Sequence, residues 1–214
     1  TEIVEGKLRI TGPTTIHFTV DNQQGGGDPR TPGYWKNWNS CSGGGQYDTA
    51  LANGGWEEGF WLLDDVLGLT DAPSPGVIWD DILSEDTFDK KAYFDEFGQL
   101  PIDSCELGVS ILNTRDFLTG KQLAGDPGYN LAKHLLAAQA NLIAGACMPF
   151  PETGVDIDAV ILQAETLLDQ YDFDATGVGI DKKKFKEDAA LALQLATILD
   201  NYNNGLYCGS TYVP

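Results

Sequence analysis

The chain has little positive charge: 13 Lys and Arg stand against 32 Asp and Glu, a formal charge of −19. A protein that neutralises phosphates needs a surplus of Lys and Arg, so the charge balance argues against nucleic acid and anionic membrane surfaces as partners. No apolar run approaches the roughly 20 residues that a helical membrane span requires. There are only 2 His, and no G-x-S-x-G stands in the sequence, so a nucleophile–base pair finds little support. No Cys-x-x-Cys is present, which argues against zinc or thiol-exchange chemistry. No Asn-x-Ser/Thr sequon occurs, so common N-linked glycosylation is not expected.

What is present suits a folded, oxidised domain. The 214 residues are 42% hydrophobic and include 5 Trp, 8 Tyr and 9 Phe, enough bulk for one good core. The 4 cysteines are an even number without metal-site spacing, which reads as two disulfides. The sequence opens on Thr1 rather than Met, as expected of a chain whose leader has been removed. Together these features predict an extracellular or cell-surface location.

Periodicity divides the chain into three parts. Lys7–Thr11 and Thr15–Val20 alternate in the manner of strands, with Gly12-Pro13 between them, so residues 1–24 are expected to form a β-strand or hairpin segment. Residues 25–30 read as a Gly-rich linker, and 31–214 as a helical, disulfide-linked domain. From about residue 46 the pattern turns helical, with Trp56, Phe60, Leu63 and Leu67 at helical spacing. Val77–Ser84 reads as a short amphipathic turn or helix, and 86–97 as helix or strand pair. Three stretches carry clear stripes of period near 3.6: 130–144, 156–171 and 181–202. The expected class is mainly α with an N-terminal β segment, α+β overall.

Helix geometry orders the cysteines. Successive antiparallel helices place the C-terminal ends of the first and third at the same end of a bundle. Cys147 follows the first of the three clear helices and Cys208 follows the third, which pairs them and leaves Cys41 with Cys105. Each bridge would close a loop of roughly 60 residues, contributing about 4 kcal/mol in the chain-entropy model.

Several residues are candidates for chemistry. Asp172-Phe173-Asp174-Ala175-Thr176-Gly177 matches the start of an EF-hand loop, but its twelfth position holds Lys183 where a bidentate Glu belongs. Asp172, Asp174, Thr176 and the nearby Asp181 are therefore a weak calcium set, with helix capping as the plainer role for Asp181. No other cofactor is indicated. Tyr34, Trp35 and Trp38, joined by Trp56 and Trp61, are candidates for a sugar-stacking face; Trp56 and Trp61, five residues apart, cannot share one helix face. Lys36, set among aromatics, suits a cation–π contact. His134, alone in a helix, reads as a packing or surface residue. Adjacent acids such as Asp64-Asp65 and Asp80-Asp81 arise freely in so acidic a chain, so a glycoside hydrolase ranks third and no enzyme is expected.

Certain segments also resemble a known group. Thr31-Pro32-Gly33-Tyr34-Trp35-Lys36-Asn37-Trp38, continued by Asn39-Ser40-Cys41, is similar to a T-x-G-[YF]-W-K-N-[WH] signature of bacterial secreted and surface proteins. Asn130–Gln139 resembles that group's N-L-A-x-x-L-L-A-A-K helix, Gly145–Pro149 its G-A-x-x-C-P turn, and Leu199–Gly205 its closing L-D-x-[YF]-N-N motif. The group has no well-defined activity, so the resemblance implies compartment and structural class rather than a reaction.

These readings predict an extracellular structural subunit that assembles with other copies of itself, as an oligomer or filament, by donating its N-terminal strand. Leu8, Ile10, Ile16, Phe18 and Val20 would form that assembly strand, because a lone strand must find pairing partners. The alternative is a carbohydrate-binding or adhesive surface module using the Trp-rich face.

Overall fold

A computed structural model describes residues 27–43, 45–73 and 104–208, with the backbone of 2–4 and 7–9. Short helices lead into three long ones. In chain order they are α1 (Pro32–Trp35), α2 (Gln46–Ala52), α3 (Leu63–Val66), α4 (Cys105–Leu112), α5 (Pro127–Ile143), α6 (Ile157–Asp169) and α7 (Lys186–Asn203). Single turns of 3₁₀ helix lie at Gly55–Glu58 and Pro151–Thr153.

The three long helices form where the apolar stripes predict. The start of α5 is fixed by Asp126, whose carboxylate accepts from the Gly128 and Tyr129 amides, and by Pro127 at the first helical position. Asp156 caps α6 in the same way, accepting from Ala159 N at 3.1 Å. The last helix starts later than the stripe suggests. Asp181 Oδ1 caps a separate turn through the Lys183 and Lys184 amides, and α7 begins only at Lys186.

The most extensive packing is between α5 and α7, with α6 against both and α4 against α5. Leu131, Leu135, Ala138, Leu168, Ala192, Leu195 and Leu199 fill the seam, and Trp35 and Tyr202 are wholly buried beside it. Alanines on both helices let the backbones come close. Cys147 is bonded to Cys208, tying the chain just past α5 to the chain just past α7, and Cys41 is bonded to Cys105. The parallel run of α5 and α7 is what brings the first pair together.

The expected continuous helical stretch after residue 46 is broken instead. Gly54, Gly55 and Gly59 take φ of 93°, 63° and 83°, a left-handed region that an L side chain resists, so the chain turns twice before α3. The turns bring the Trp56 and Trp61 rings to 6.0 Å, so two residues that no single helix face could unite are neighbours. Val77–Ser84 and 86–97 lie outside the described residues.

The class is mainly α-helical with two disulfides, which corrects the α+β expectation. In the leader, Glu2–Val4 pairs antiparallel with Lys7–Arg9, Ile3 opposite Leu8, in a ribbon of three residue pairs. No strand of the leader is shared with the helical domain among the described residues. This local closure overturns assembly by strand donation: among the described residues Leu8 pairs with Ile3, five positions earlier in the same chain. Ile10, Ile16, Phe18 and Val20 lie outside the described residues. The expected linker also ends earlier than composition suggests, because Pro29 is buried and Arg30 is bonded into the domain.

Candidate functional site

Asn141, on α5, joins three distant parts of the chain. Its side-chain oxygen accepts from Arg30 N at 2.8 Å and from the Trp35 indole Nε1 at 3.2 Å. Its amide nitrogen donates to Arg30 O at 2.8 Å and to Asn203 Oδ1 at 2.9 Å. Asn203, fully buried at the end of α7, donates in turn to the His134 carbonyl at 2.9 Å. No side-chain nitrogen or oxygen of Asn141, Asn203 or Trp35 is left without a hydrogen-bond partner, and such a network fixes one arrangement of its elements. The Tyr-Trp-Lys segment, α5 and the closing Leu-Asp-Asn-Tyr segment thereby meet, three of the four motifs that sequence reading sets apart.

Over that junction lies a polar cavity of about 460 Å³. It is lined by Pro32, Gly33 and Lys36, by Lys133 and His134 of α5, by Asp200 of α7, and by Leu112, Asn113, Thr114 and Gln122. Asn113 is the C-cap residue of α4, where the chain leaves the helix. An isolated bridge between Arg115 and Gln122 folds the following loop back, which places Gln122 against Thr114.

The electrostatics of the cavity are unlike those of the chain as a whole. Lys133 is half-buried, and its ammonium is pushed below the ordinary lysine range by burial first, with Lys36 adding to the shift and Asp200 opposing it. Neither lysine makes an ion pair or side-chain hydrogen bond among the described residues. His134 is buried with Nδ1 3.3 Å from Asp200 Oδ1. Burial, and then Lys133, lower its pKa to about 4 against the pull of Asp200, so the imidazole is neutral at pH 7.

The aromatic candidates take other roles. Trp35 is fully buried as part of the core. Tyr34 and Trp38 stack on one another at 4.8 Å, and Phe60 continues the column beyond Trp38 at 6.3 Å. The Arg30 guanidinium sits 4.7 Å from the Tyr34 ring centroid, and donates to Gly59 O. The cation over the ring is thus Arg30, which sequence reading left in the linker, while Lys36 faces the cavity. These rings thus find aromatic and cationic partners within the protein itself.

The calcium candidates are spread over local turns. Asp174 Oδ1 accepts from Thr176 N and Oγ1 at 2.8 and 2.7 Å, and Asp181 is the turn cap already described. Asp172 and Ala175 adopt positive φ of 47° and 61°. No group of three or more His, Cys, Asp or Glu side chains that could hold a metal is found among the described residues. Carboxylates from elsewhere hold this loop instead. Asp116 accepts from Gly177 N at 2.6 Å and Thr119 N at 2.7 Å, and these amides, Thr119 first, keep its carboxyl below the usual range. Asp126 accepts from Gly179 N and Ile180 N.

The fold and cavity define a disulfide-stapled helical domain with a cation-lined polar pocket. The chain matches no protein-family model, no curated protein and no solved structure. The group expected from the sequence motifs is therefore supported by those motifs alone.

Proposed function

We propose that this chain is an extracellular, non-catalytic binding module, whose pocket between Lys36, Lys133 and Asp200 holds a small polar ligand. The single observation that carries this reading is the convergence of residues from four separate segments on one cavity lined by two lysines, neither of which makes an ion pair or side-chain hydrogen bond among the described residues. In a chain of −19 net charge an unpaired lysine has acids in abundance to meet at the surface. Holding two of them at a cavity, one half-buried at some cost, is the arrangement of a binding site rather than of a solvated face. The extracellular location is supported by the two disulfides, which persist in oxidising surroundings.

Thermal denaturation of the full chain against a panel of small sugars, sugar acids, amino acids and inorganic anions tests the reading. A compound that raises Tm in the native chain and not in a Lys36→Gln/Lys133→Gln variant supports it. If every stabilising compound acts equally on both, the pocket is not the site.

A further inference from the structure

The pocket's polar groups specify more than polarity, and the following inference rests on the binding reading above. We propose that the ligand is a small polyhydroxylated monocarboxylate, a sugar acid, with its carboxylate between the Lys36 and Lys133 ammonium groups and its hydroxyls toward Asp200, Asn113 and Gln122. Charge sets the first part. Lys36, Lys133 and Asp200 all line the cavity and the His134 imidazole is neutral, so one further negative charge balances the lining. A phosphate dianion would overshoot and would place a second negative charge near Asp200.

Hydrogen-bond capacity sets the second part. The Asn113 amide nitrogen gives one of its two N–H groups to Val109 O at 3.0 Å. The Gln122 amide nitrogen is spent on Thr114 Oγ1 at 2.7 Å and on the carbonyls of Asn113 and Thr114. Thr114 Oγ1 donates to Asn113 O. These partners fix each amide's orientation and leave its oxygen as the group with spare capacity. Asp200 Oδ1 takes the Asn204 amide at 3.0 Å and faces His134, while Oδ2 has no partner among the described residues. The Asn113 and Gln122 amides therefore offer more free acceptor sites than free donors. A ligand that matches it must bring hydroxyl donors along with its negative charge. The cavity, at about 460 Å³, has room for a six-carbon molecule with a few waters.

Titration calorimetry of the full chain at neutral pH and low salt tests this, with gluconate, glucuronate, glucose, acetate, serine and inorganic phosphate as probes. Gluconate or glucuronate should bind, glucose and acetate should each bind at least about tenfold more weakly, and Lys36→Gln or Lys133→Gln should weaken the acid about tenfold. Lys36→Arg should restore much of that loss, which separates charge from misfolding, and circular dichroism of each variant checks its fold. If glucose binds as well as gluconate, or if acetate, serine or phosphate binds best, the sugar-acid inference fails while the pocket reading stands. If no probe binds in a lysine-dependent way, the inference is overturned, and a null result across the wider thermal panel would overturn the pocket reading too.

Discussion

Replacing Asn141 by alanine should be among the most damaging single changes this fold can suffer. The side chain is 1% exposed and makes four hydrogen bonds, to Arg30 N, Arg30 O, Trp35 Nε1 and Asn203 Oδ1. Alanine leaves each of those groups without its partner in a region that water does not reach freely. An orphaned buried polar group costs about 1–3 kcal/mol. Four of them at the lower end give about 4 kcal/mol, a large part of the roughly 5–15 kcal/mol by which a domain is stable. For a chain of this size that corresponds to a fall in Tm of about 8–16 °C. Asn141→Asp separates shape from hydrogen bonding: it keeps the acceptor for Arg30 N and Trp35 Nε1 but sets a carboxylate oxygen against Arg30 O and Asn203 Oδ1. It should therefore also destabilise strongly, despite its near-identical size. Urea unfolding followed by Trp fluorescence measures both, with the exposed Leu162→Ala as a control expected to change stability by less than about 0.5 kcal/mol. A loss under about 1 kcal/mol for Asn141→Ala would show that the junction is not held as described.

Other tests bear on pH, packing and the cross-links. The His134 pKa falls from 6.5 to about 4 on folding, so between those values the unfolded chain binds more protons and stability must fall as pH drops from 6.5 towards 4; the full effect is about 3 kcal/mol, and His134→Gln should flatten that part of a pH–stability curve. Gly179→Ala should cost about 1–3 kcal/mol by thermal melting, because a Cβ there would lie 2.7 Å from Asp126 Oδ1 and 3.2 Å from the Gly128 Cα, where two backbones cross. Cys147→Ser with Cys208→Ser opens a bridge between residues 61 apart and should lower stability by about 4 kcal/mol in the chain-entropy model, read from denaturant midpoints.

The long helices were readable because burial of one face writes a period of 3.6 directly into the chain, although the first of them begins at Pro127, three residues ahead of its stripe. Helix α4 escaped notice because Cys105–Leu112 is short and carries Gly108 within it, so its stripe is brief. The disulfide pairing followed from helix direction, a long-range fact that the order of elements already contains. Alternation in the leader was legible as β tendency, but tendency names no partner. Here Glu2–Val4, two residues away across Glu5-Gly6, takes that place.

The cavity was much less visible. Lys36, Asn113, Lys133 and Asp200 lie in four segments, and each has an ordinary local explanation. Lys36 among aromatics suggested a ring contact, yet Arg30 makes it, since the Asn141 bonds draw Arg30 back over Tyr34. His134 looked like an isolated helix residue because its partner Asp200 is 66 positions away and joins it only through the α5–α7 packing. The motif residues were noticeable as strings, but their shared location is a property of the folded chain.

The most direct test of the account is amide chemical-shift mapping of the isotope-labelled full chain during a gluconate titration. Saturable shifts confined to the backbone around Gly33, Lys36, Asn113, Lys133 and Asp200 are expected, and they should vanish in the double lysine variant. Shifts centred instead on the Tyr34–Trp38–Phe60 column, or none at all beside an unchanged spectrum, would contradict it.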